Sequence, residues 1–519
     1  PSRRFPHQNN TTFGALYSIR MSTLKRLAGQ TAIYGLSSIV ARFLNYLLTP
    51  VHTSAFAPDQ FGVITEMYAY VSFLVVLLTY GMETTFFRFS HRKGSRPEAI
   101  FSTILRSLLI TSSGFALLAL FFRQHIAELL HYPNHAEYVA WFALIIALDA
   151  ISTLPMARLR LQQRSWWFVG VNFSNVGINV LLNLFFLAYC KPLVESGQNN
   201  WLTDTFYNPV IGVGYVFIAN LVASAAKLLL LLPQFRVIST VSGTVALRPL
   251  LVYSLPLLLA GMAGMVNETL DRILLKYILV GKIGLEATMT QVGIYGACYK
   301  ISIIITLFIQ AFRYAADPFF FAQAGQQDAP RTYARVMRYF VLVCLGMFLT
   351  IMLFIDFFKY FIPNPAYWEG LRIVPILLAA NIMLGIYYNQ SVWYKMTDRT
   401  GYGAWIAIVG AGITVLLNVL LIPEFGYMGS AWATLAAYSG MVLLSYVLSR
   451  SRYPIPYPVK ALSLYAAFAF VLFMAGMQMR IAIPEFTWIT SPALLLTFSV
   501  VVIVLERNNW NKKQMIDGS

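Results

Sequence analysis

Fourteen apolar runs of about 20 residues follow one another along this chain, separated by short polar breaks. A run of that length matches the hydrocarbon thickness of a bilayer, and a helix spans it because a helix satisfies its own backbone hydrogen bonds. The predicted spans are 28–50, 61–84, 100–122, 137–155, 166–190, 210–232, 250–271, 292–316, 337–356, 370–391, 403–422, 428–448, 459–478 and 487–505. The expected fold class is therefore an all-α integral membrane protein of about fourteen transmembrane helices. Residues 1–20 are polar and unpatterned, and Met21-Ser-Thr-Leu-Lys-Arg reads as a natural start. Residues 1–27 are taken as a cytoplasmic extension.

Composition agrees with this pattern. Only 11% of the residues are charged and 58% are apolar, whereas soluble domains carry about 25% charge. The net charge of +17 would suggest nucleic acid in a soluble protein. Here the cations cluster in alternate loops, with Arg92, Lys93, Arg96, Arg158, Arg160, Arg164, Arg236, Arg331, Arg335, Lys395 and Arg399 on one side. Few stand on the other, among them Arg123, Lys191, Lys276 and Lys282. By the positive-inside rule the basic side, here called inner, is cytoplasmic, and an even span count puts both termini there. Nucleic-acid binding is not expected. Cys190, Cys298 and Cys344 lie inside apolar runs without metal spacing and read as small buried hydrophobes.

The chain also repeats itself. Gly62-Val-Ile-Thr-Glu-Met-Tyr resembles Gly293-Ile-Tyr-Gly-Ala-Cys-Tyr, 231 residues later. Gly177-Ile-Asn-Val-Leu-Leu-Asn183 resembles Gly412-Ile-Thr-Val-Leu-Leu-Asn418, 235 later, and Ala219 to Leu221 resembles Ala433 to Leu435, 214 later. Spans one to six thus map onto seven to twelve. Six is even, so the two copies share one orientation, with their axis along the membrane normal. The expected division is an N-lobe at 28–247, a C-lobe at 248–448, and two further spans with the C-terminus at 449–519. Two lobes that rock about a central site suit a transporter.

Polar residues at membrane depth are costly and mark cavities or partners. Tyr34, Ser38, Arg42, Asn45 and Thr49 fall on one face of the first span, and Arg42 lies too deep to snorkel easily. Arg42, Lys300, Arg313, Asn45, Tyr34 and Ser38 are the candidate substrate-binding residues, with the cations placed to attract an anion. A structural pairing of Arg42 with Glu66 is the competing reading. Glu66, Glu268, Asp271, Arg272, Asp317, Thr414 and Asn418 are candidates for coupling or gating. Glu268–Arg272 and Arg313–Asp317 are each four apart, as local ion pairs would be. Asn172, Asn175, Asn179 and Asn183 form a second stripe, which interhelical hydrogen bonding alone would explain. Arg106, Lys227 and Arg372 are read as snorkelling, and Asp149 as an isolated acid. No phosphate-binding glycine loop, HExxH pair or GxSxG elbow is present. The longest outer loop, about 19 residues around 191–209, offers only Glu195 and Asp204 as acids. A membrane enzyme is therefore not expected, and no catalytic residue, cofactor or resident metal is assigned. Coupling to protons, sodium or the membrane potential stays open.

Several segments carry a family resemblance: Leu48-Thr-Pro50 with Asp59-Gln-Phe-Gly62; Asp271-Arg272 followed by Val292-Gly-Ile-Tyr and Pro318; and Leu417-Asn-Val-Leu-Leu-Ile-Pro423 with Gly429-Ser-Ala-Trp-Ala-Thr434. In this order they resemble the multidrug/oligosaccharidyl-lipid/polysaccharide exporter superfamily, nearest its O-antigen (Wzx-like) flippase branch. That resemblance implies a bacterial inner-membrane protein that moves an undecaprenyl-type, diphosphate-linked oligosaccharide from the inner to the outer leaflet by alternating access. It implies membrane lipids and polysaccharide polymerase machinery as partners. A multidrug antiporter or lipid II flippase of the same superfamily is the alternative. The resemblance also suggests sodium among spans seven, eleven and twelve, but span eleven here carries Thr414 and Asn418 and no acid.

Overall fold

A computed structural model describes residues 34–240 and 245–517. The expected extension at 1–27, with Lys25 and Arg26, and the start of the first span lie outside the described residues. Every described element is helical. Thirteen helices are long and apolar enough to cross a membrane. They follow α1 (34–55), the described part of the first span, and are labelled α2 (Pro58–Ser90), α3 (Pro97–Phe121), α4 (Ala136–Leu161), α5 (Ser165–Glu195), α6 (Gly214–Arg236), α7 (Leu247–Ile283), α8 (Leu285–Gln323), α9 (Ala329–Leu353), α10 (Pro365–Met396), α11 (Gly401–Phe425), α12 (Tyr427–Arg452), α13 (Val459–Ala482) and α14 (Pro484–Arg507). The chain is a multi-pass, all-α membrane protein. Its lipid-facing aspect is apolar, as Ile110, Phe121, Leu416 and Leu464 illustrate, each more than half exposed. The three cysteines are free and buried, as expected.

Local sequence explains the irregular points. Within α1 the helix breaks at Leu47, three residues before Pro50. A proline ring clashes with the carbonyl four residues earlier, here that of Tyr46, and lacks the N–H to bond it. In α5 the segment Leu184–Cys190 is a π-helix, and it begins directly after Asn183. Such bulges shift the register of one helix face and often adjoin functional positions.

Helices α2 to α6 pack mainly through α3 on α4, and through α6 on α4 and α5; α7 to α12 pack through α7 on α11, α11 on α12 and α12 on α10. The two bundles meet chiefly where α2 crosses α8. The crossing is so close that no side chain fits. A Cβ on Gly62 would lie 2.1 Å from the Met289 carbonyl oxygen, and one on Gly293 would lie 1.8 Å from that of Pro58. Met289 follows Pro58 by 231 residues, as Gly293 follows Gly62. The two contacts are therefore one contact seen from both repeats, as at the two-fold interface of a dimer. Gly296 faces Thr65, its own repeat equivalent, with the would-be Cβ 2.4 Å from Thr65 Oγ1. The sequence repeat thus becomes a spatial one whose axis passes between Thr65 and Gly296. Helices α13 and α14 dock on α9, held by an Arg338–Glu506 ion pair and by Arg480, which reaches Asp356 at 3.1 Å.

Candidate functional site

Two cavities are stacked between the bundles. The one nearer the basic loops, about 360 Å³, is lined by Ser38, Ile39 and Arg42 of α1 and by Gln310, Arg313, Tyr314, Asp317 and Pro318 of α8. The other lies toward the opposite side and measures about 410 Å³. Its first-bundle wall includes Asn45, Thr49, His52, Asn175, Asn179, Asn183 and Asn220. Its second-bundle wall includes Glu268, Arg272, Tyr299 and Lys300. The predicted stripe on α1 runs through both cavities: Ser38 and Arg42 face the inner one, Asn45 and Thr49 the outer one.

The inner cavity is cationic. No carboxylate lies within ion-pair distance of Arg42 or Arg313 among the described residues. Arg313 stacks its guanidinium 4.1 Å over the Tyr388 ring. The expected Arg313–Asp317 pair does not form, because Asp317 takes Lys395 of α10 at 2.9 Å. That pair cancels its own charge and leaves two guanidiniums to set the sign of the cavity.

The outer cavity is more balanced. Lys300 likewise has no carboxylate partner and shares the space with the exposed side chain of Glu268. The expected Glu268–Arg272 pair is also absent. Arg272 donates to the backbone carbonyl of Glu268 at 2.6 Å and pairs with the Asp271 carboxylate at 3.3 Å. Tyr295 donates to the other Asp271 oxygen at 2.5 Å. Arg272 also lies 4.3 Å over Tyr299. Asp271 and Arg272 therefore form a buried, charge-paired unit, because α7 runs on to Ile283 and places them well inside.

Tyr34 and Glu66 leave the site altogether. Tyr34 lines neither cavity, because its hydroxyl accepts from Ser165 Oγ at 2.8 Å and its ring packs edge-on against Phe168. Glu66 does not meet Arg42. Its side chain is fully buried and takes both carboxylate bonds from Lys276 Nζ, each at 2.8 Å. Tyr70 and Tyr132 donate to the same carboxylate at 2.7 and 2.5 Å, and Lys276 also donates to the Leu130 carbonyl. This unit ties α7 to α2 across the two bundles. Lys276, assigned to an outer loop by its charge, is thereby a core residue.

The neighbouring expectations resolve as local pairs. Lys227 does not snorkel but meets Asp149 at 3.3 Å, so that acid is not isolated. Arg106 donates to the Ile238 carbonyl, and Arg372 donates to Tyr427. Thr414 and Asn418 are enclosed. Thr414 donates to Asn267 Oδ1 at 2.9 Å, Asn418 donates to the Thr414 carbonyl, and Asn418 Oδ1 and Ser430 Oγ are buried without partners. Hard cations favour oxygen ligands with carboxylates among them. Among the described residues this cluster presents only neutral oxygens.

The amide stripe on α5 is the part whose use was left open. Asn179 Nδ2 donates to Asn45 Oδ1 at 3.0 Å, and Asn183 Nδ2 donates to Asn179 Oδ1 at 3.1 Å. His52 Nε2 lies 2.8 Å from Asn183 Oδ1. His52 is a site residue that the sequence reading missed; its place on α1 three residues after Thr49, the last member of the stripe, is the signal for it.

The fold is thus two six-helix bundles around interior polar cavities, with two helices appended. Residues 27–322, more than half of the chain, match the family described as "Polysaccharide biosynthesis protein", and the chain belongs to that family. Among solved structures it resembles the lipid II flippase MurJ in an inward closed conformation, with a TM-score of 0.67 at 12% identity over 90% of this chain and 98% of that one. It also resembles an inward-facing multidrug-resistance MATE family transporter of the MOP superfamily, with a TM-score of 0.61 at 12% identity over 83% of this chain and 95% of that one. These likenesses are of fold. No curated protein sequence matches the chain.

Proposed function

We propose that this protein is a flippase that carries a polyprenyl-diphosphate-linked oligosaccharide from the inner to the outer leaflet of a bacterial cytoplasmic membrane, with both termini on the inner side. The observation that carries this reading is the inner cavity, where Arg42 and Arg313 face each other's bundle with no carboxylate in ion-pair reach among the described residues. A diphosphate is a fixed, dense anion, and guanidiniums bind such groups bidentately. The family's link to polysaccharide biosynthesis supports a glycan cargo. The bundles would act as lobes that rock about the α2–α8 crossing, exposing the cavities to one side and then the other. Glu66–Lys276 would hold the outer ends together and part when the protein opens outward.

Loss of one charge-assisted contact costs about 1.5–3 kcal/mol, or about 10- to 150-fold in affinity. Arg42→Ala and Arg313→Ala should each cut lipid-linked oligosaccharide export by at least tenfold in a complementation assay, at normal membrane abundance. Unimpaired export by both variants would remove the inner cavity from the substrate path. For Lys300, charge reversal to Glu should impair export more than Lys300→Arg; equal impairment would mark it as structural.

A second reading is a cation-coupled multidrug exporter. The observation that favours it is Glu268, an acid exposed in the outer cavity with no partner for its carboxylate. Cationic-dye efflux that depends on Glu268 but not on Arg42 would establish that reading instead. Rescue of cells depleted of their lipid II flippase would assign the cargo to that lipid.

A further inference from the structure

The outer cavity has two chemically different walls. The second bundle supplies the charges: Glu268, Arg272 and Lys300. The first bundle supplies neutral groups that both donate and accept: five asparagines, Thr49 and His52. The repeat shows how unusual that first wall is. Asn179 and Asn183 correspond to Thr414 and Asn418 at the offset of 235, and Asn45 occupies toward Asn179 the place that Asn267 occupies toward Thr414. In the second bundle this polar set is buried, with Thr414 1% and Asn418 0% exposed. It is closed off by Tyr438, whose hydroxyl donates to the Asn267 carbonyl at 3.1 Å. In the first bundle Asn183 is likewise only 1% exposed, but Asn179 and Asn45 beside it open into the cavity.

The opened set is rigid and only half used. The ladder His52–Asn183–Asn179–Asn45 fixes which end of each amide points where. It leaves Asn45 Nδ2 free to donate. Asn220 donates to the Tyr68 hydroxyl at 2.9 Å, which leaves its Oδ1 free to accept. Asn175 lines the cavity, and no hydrogen bond from the described residues reaches either end of its amide. An amide offers two donors and two acceptor sites, so a row of them matches a ligand that presents many hydroxyls. None of these amides ionises, so they give the wall no net charge with which to attract a diphosphate. Phe61, Tyr68 and Tyr299 add apolar area with polar handles to the same cavity.

Position supports a division of labour. Arg313 and Lys300 are 13 residues apart on α8, about 20 Å at the helical rise, so the inner cations and the outer amides lie at successive depths. A lipid-linked glycan entering head-first from the inner leaflet would set its sugars deeper than its diphosphate.

We infer that the first-bundle asparagine wall of the outer cavity, with Asn175 and the free Oδ1 of Asn220 as its contacts, is the glycan-recognition subsite and sets sugar selectivity, whereas the inner cations hold the diphosphate. This inference rests on the flippase reading above. A site built to bond hydroxyls discriminates strongly against a ligand lacking them, because its polar groups are then left unpaired.

The test is equilibrium binding to the purified full-length protein in nanodiscs. The probes are the lipid-linked oligosaccharide extracted from the cells that make this protein, and bare undecaprenyl diphosphate. The intact protein should bind the first at least tenfold more tightly than the second. Asn175→Ala/Asn220→Ala should shrink that advantage below threefold and leave the affinity for bare undecaprenyl diphosphate unchanged, which also shows that the variant is folded. Arg42→Ala should weaken both probes alike. Equal affinity of the intact protein for the two probes, or equal weakening of both by the asparagine variant, would overturn the glycan subsite while leaving diphosphate recognition standing. Binding of neither probe would overturn the flippase reading, and the subsite with it.

Discussion

Lys276 shows how a charge can be decisive and still be misread. Its side chain is fully buried between two carboxylate bonds to Glu66 and one to a backbone carbonyl. Removing one partner of such a pair leaves an uncompensated charge in a low-dielectric interior, at a cost of about 3–5 kcal/mol. Lys276→Ala should therefore lower the thermal midpoint of the detergent-solubilised protein markedly. The double variant Lys276→Met/Glu66→Leu should recover most of the loss, because two apolar residues of similar volume replace the pair. A double variant as unstable as the single one would show that the pair contributes through something other than charge. Sequence could not join these residues: they are 210 apart, and each taken alone has several equally good partners. Arg42 was more legible, because its stripe of polar neighbours obeys helical spacing within one span. Tyr34 shares that spacing but sits eight residues, about two turns, nearer the inner end, where Ser165 and Phe168 of α5 cover it.

At the scale of elements, the spans were readable because the bilayer demands an apolar run wherever a helix crosses it. Their ends were less so. The seventh span was expected to stop at 271, since Asp271, Arg272, Lys276 and Lys282 follow closely. The helix in fact reaches Ile283, because those charges satisfy one another or a neighbour instead of seeking water. The break in α1 has a cause that can be tested directly. Pro50→Ala restores an N–H that can bond the Tyr46 carbonyl. Amide exchange across residues 46–50 should slow in the variant. Unchanged exchange would mean that packing against α5 and α8, rather than the proline, sets the break.

For the whole molecule, the crossing of α2 and α8 is the contact any rocking motion must respect. The Cβ built on Gly296 falls 3.0 Å from Thr65 Cβ, slightly under the roughly 3.5 Å at which disulfides begin to form without strain. With a small yield, Thr65→Cys and Gly296→Cys should cross-link under oxidation. The cross-linked protein should stop exporting while still binding its lipid, and a reductant should restore export. Full export in the oxidised, cross-linked state would show that this point does not move during transport.

The contact of Gly62 with Met289 and of Gly293 with Pro58 is the kind that two identical chains make with each other. A gene duplication that fused two such chains would leave this signature at their former junction. If so, the junction should still hold without the peptide link. A chain ending near residue 240 and a second beginning near residue 245, made together in one cell, should reassemble into an active protein. An alanine at Gly62 alone should block that reunion as effectively as one at Gly293.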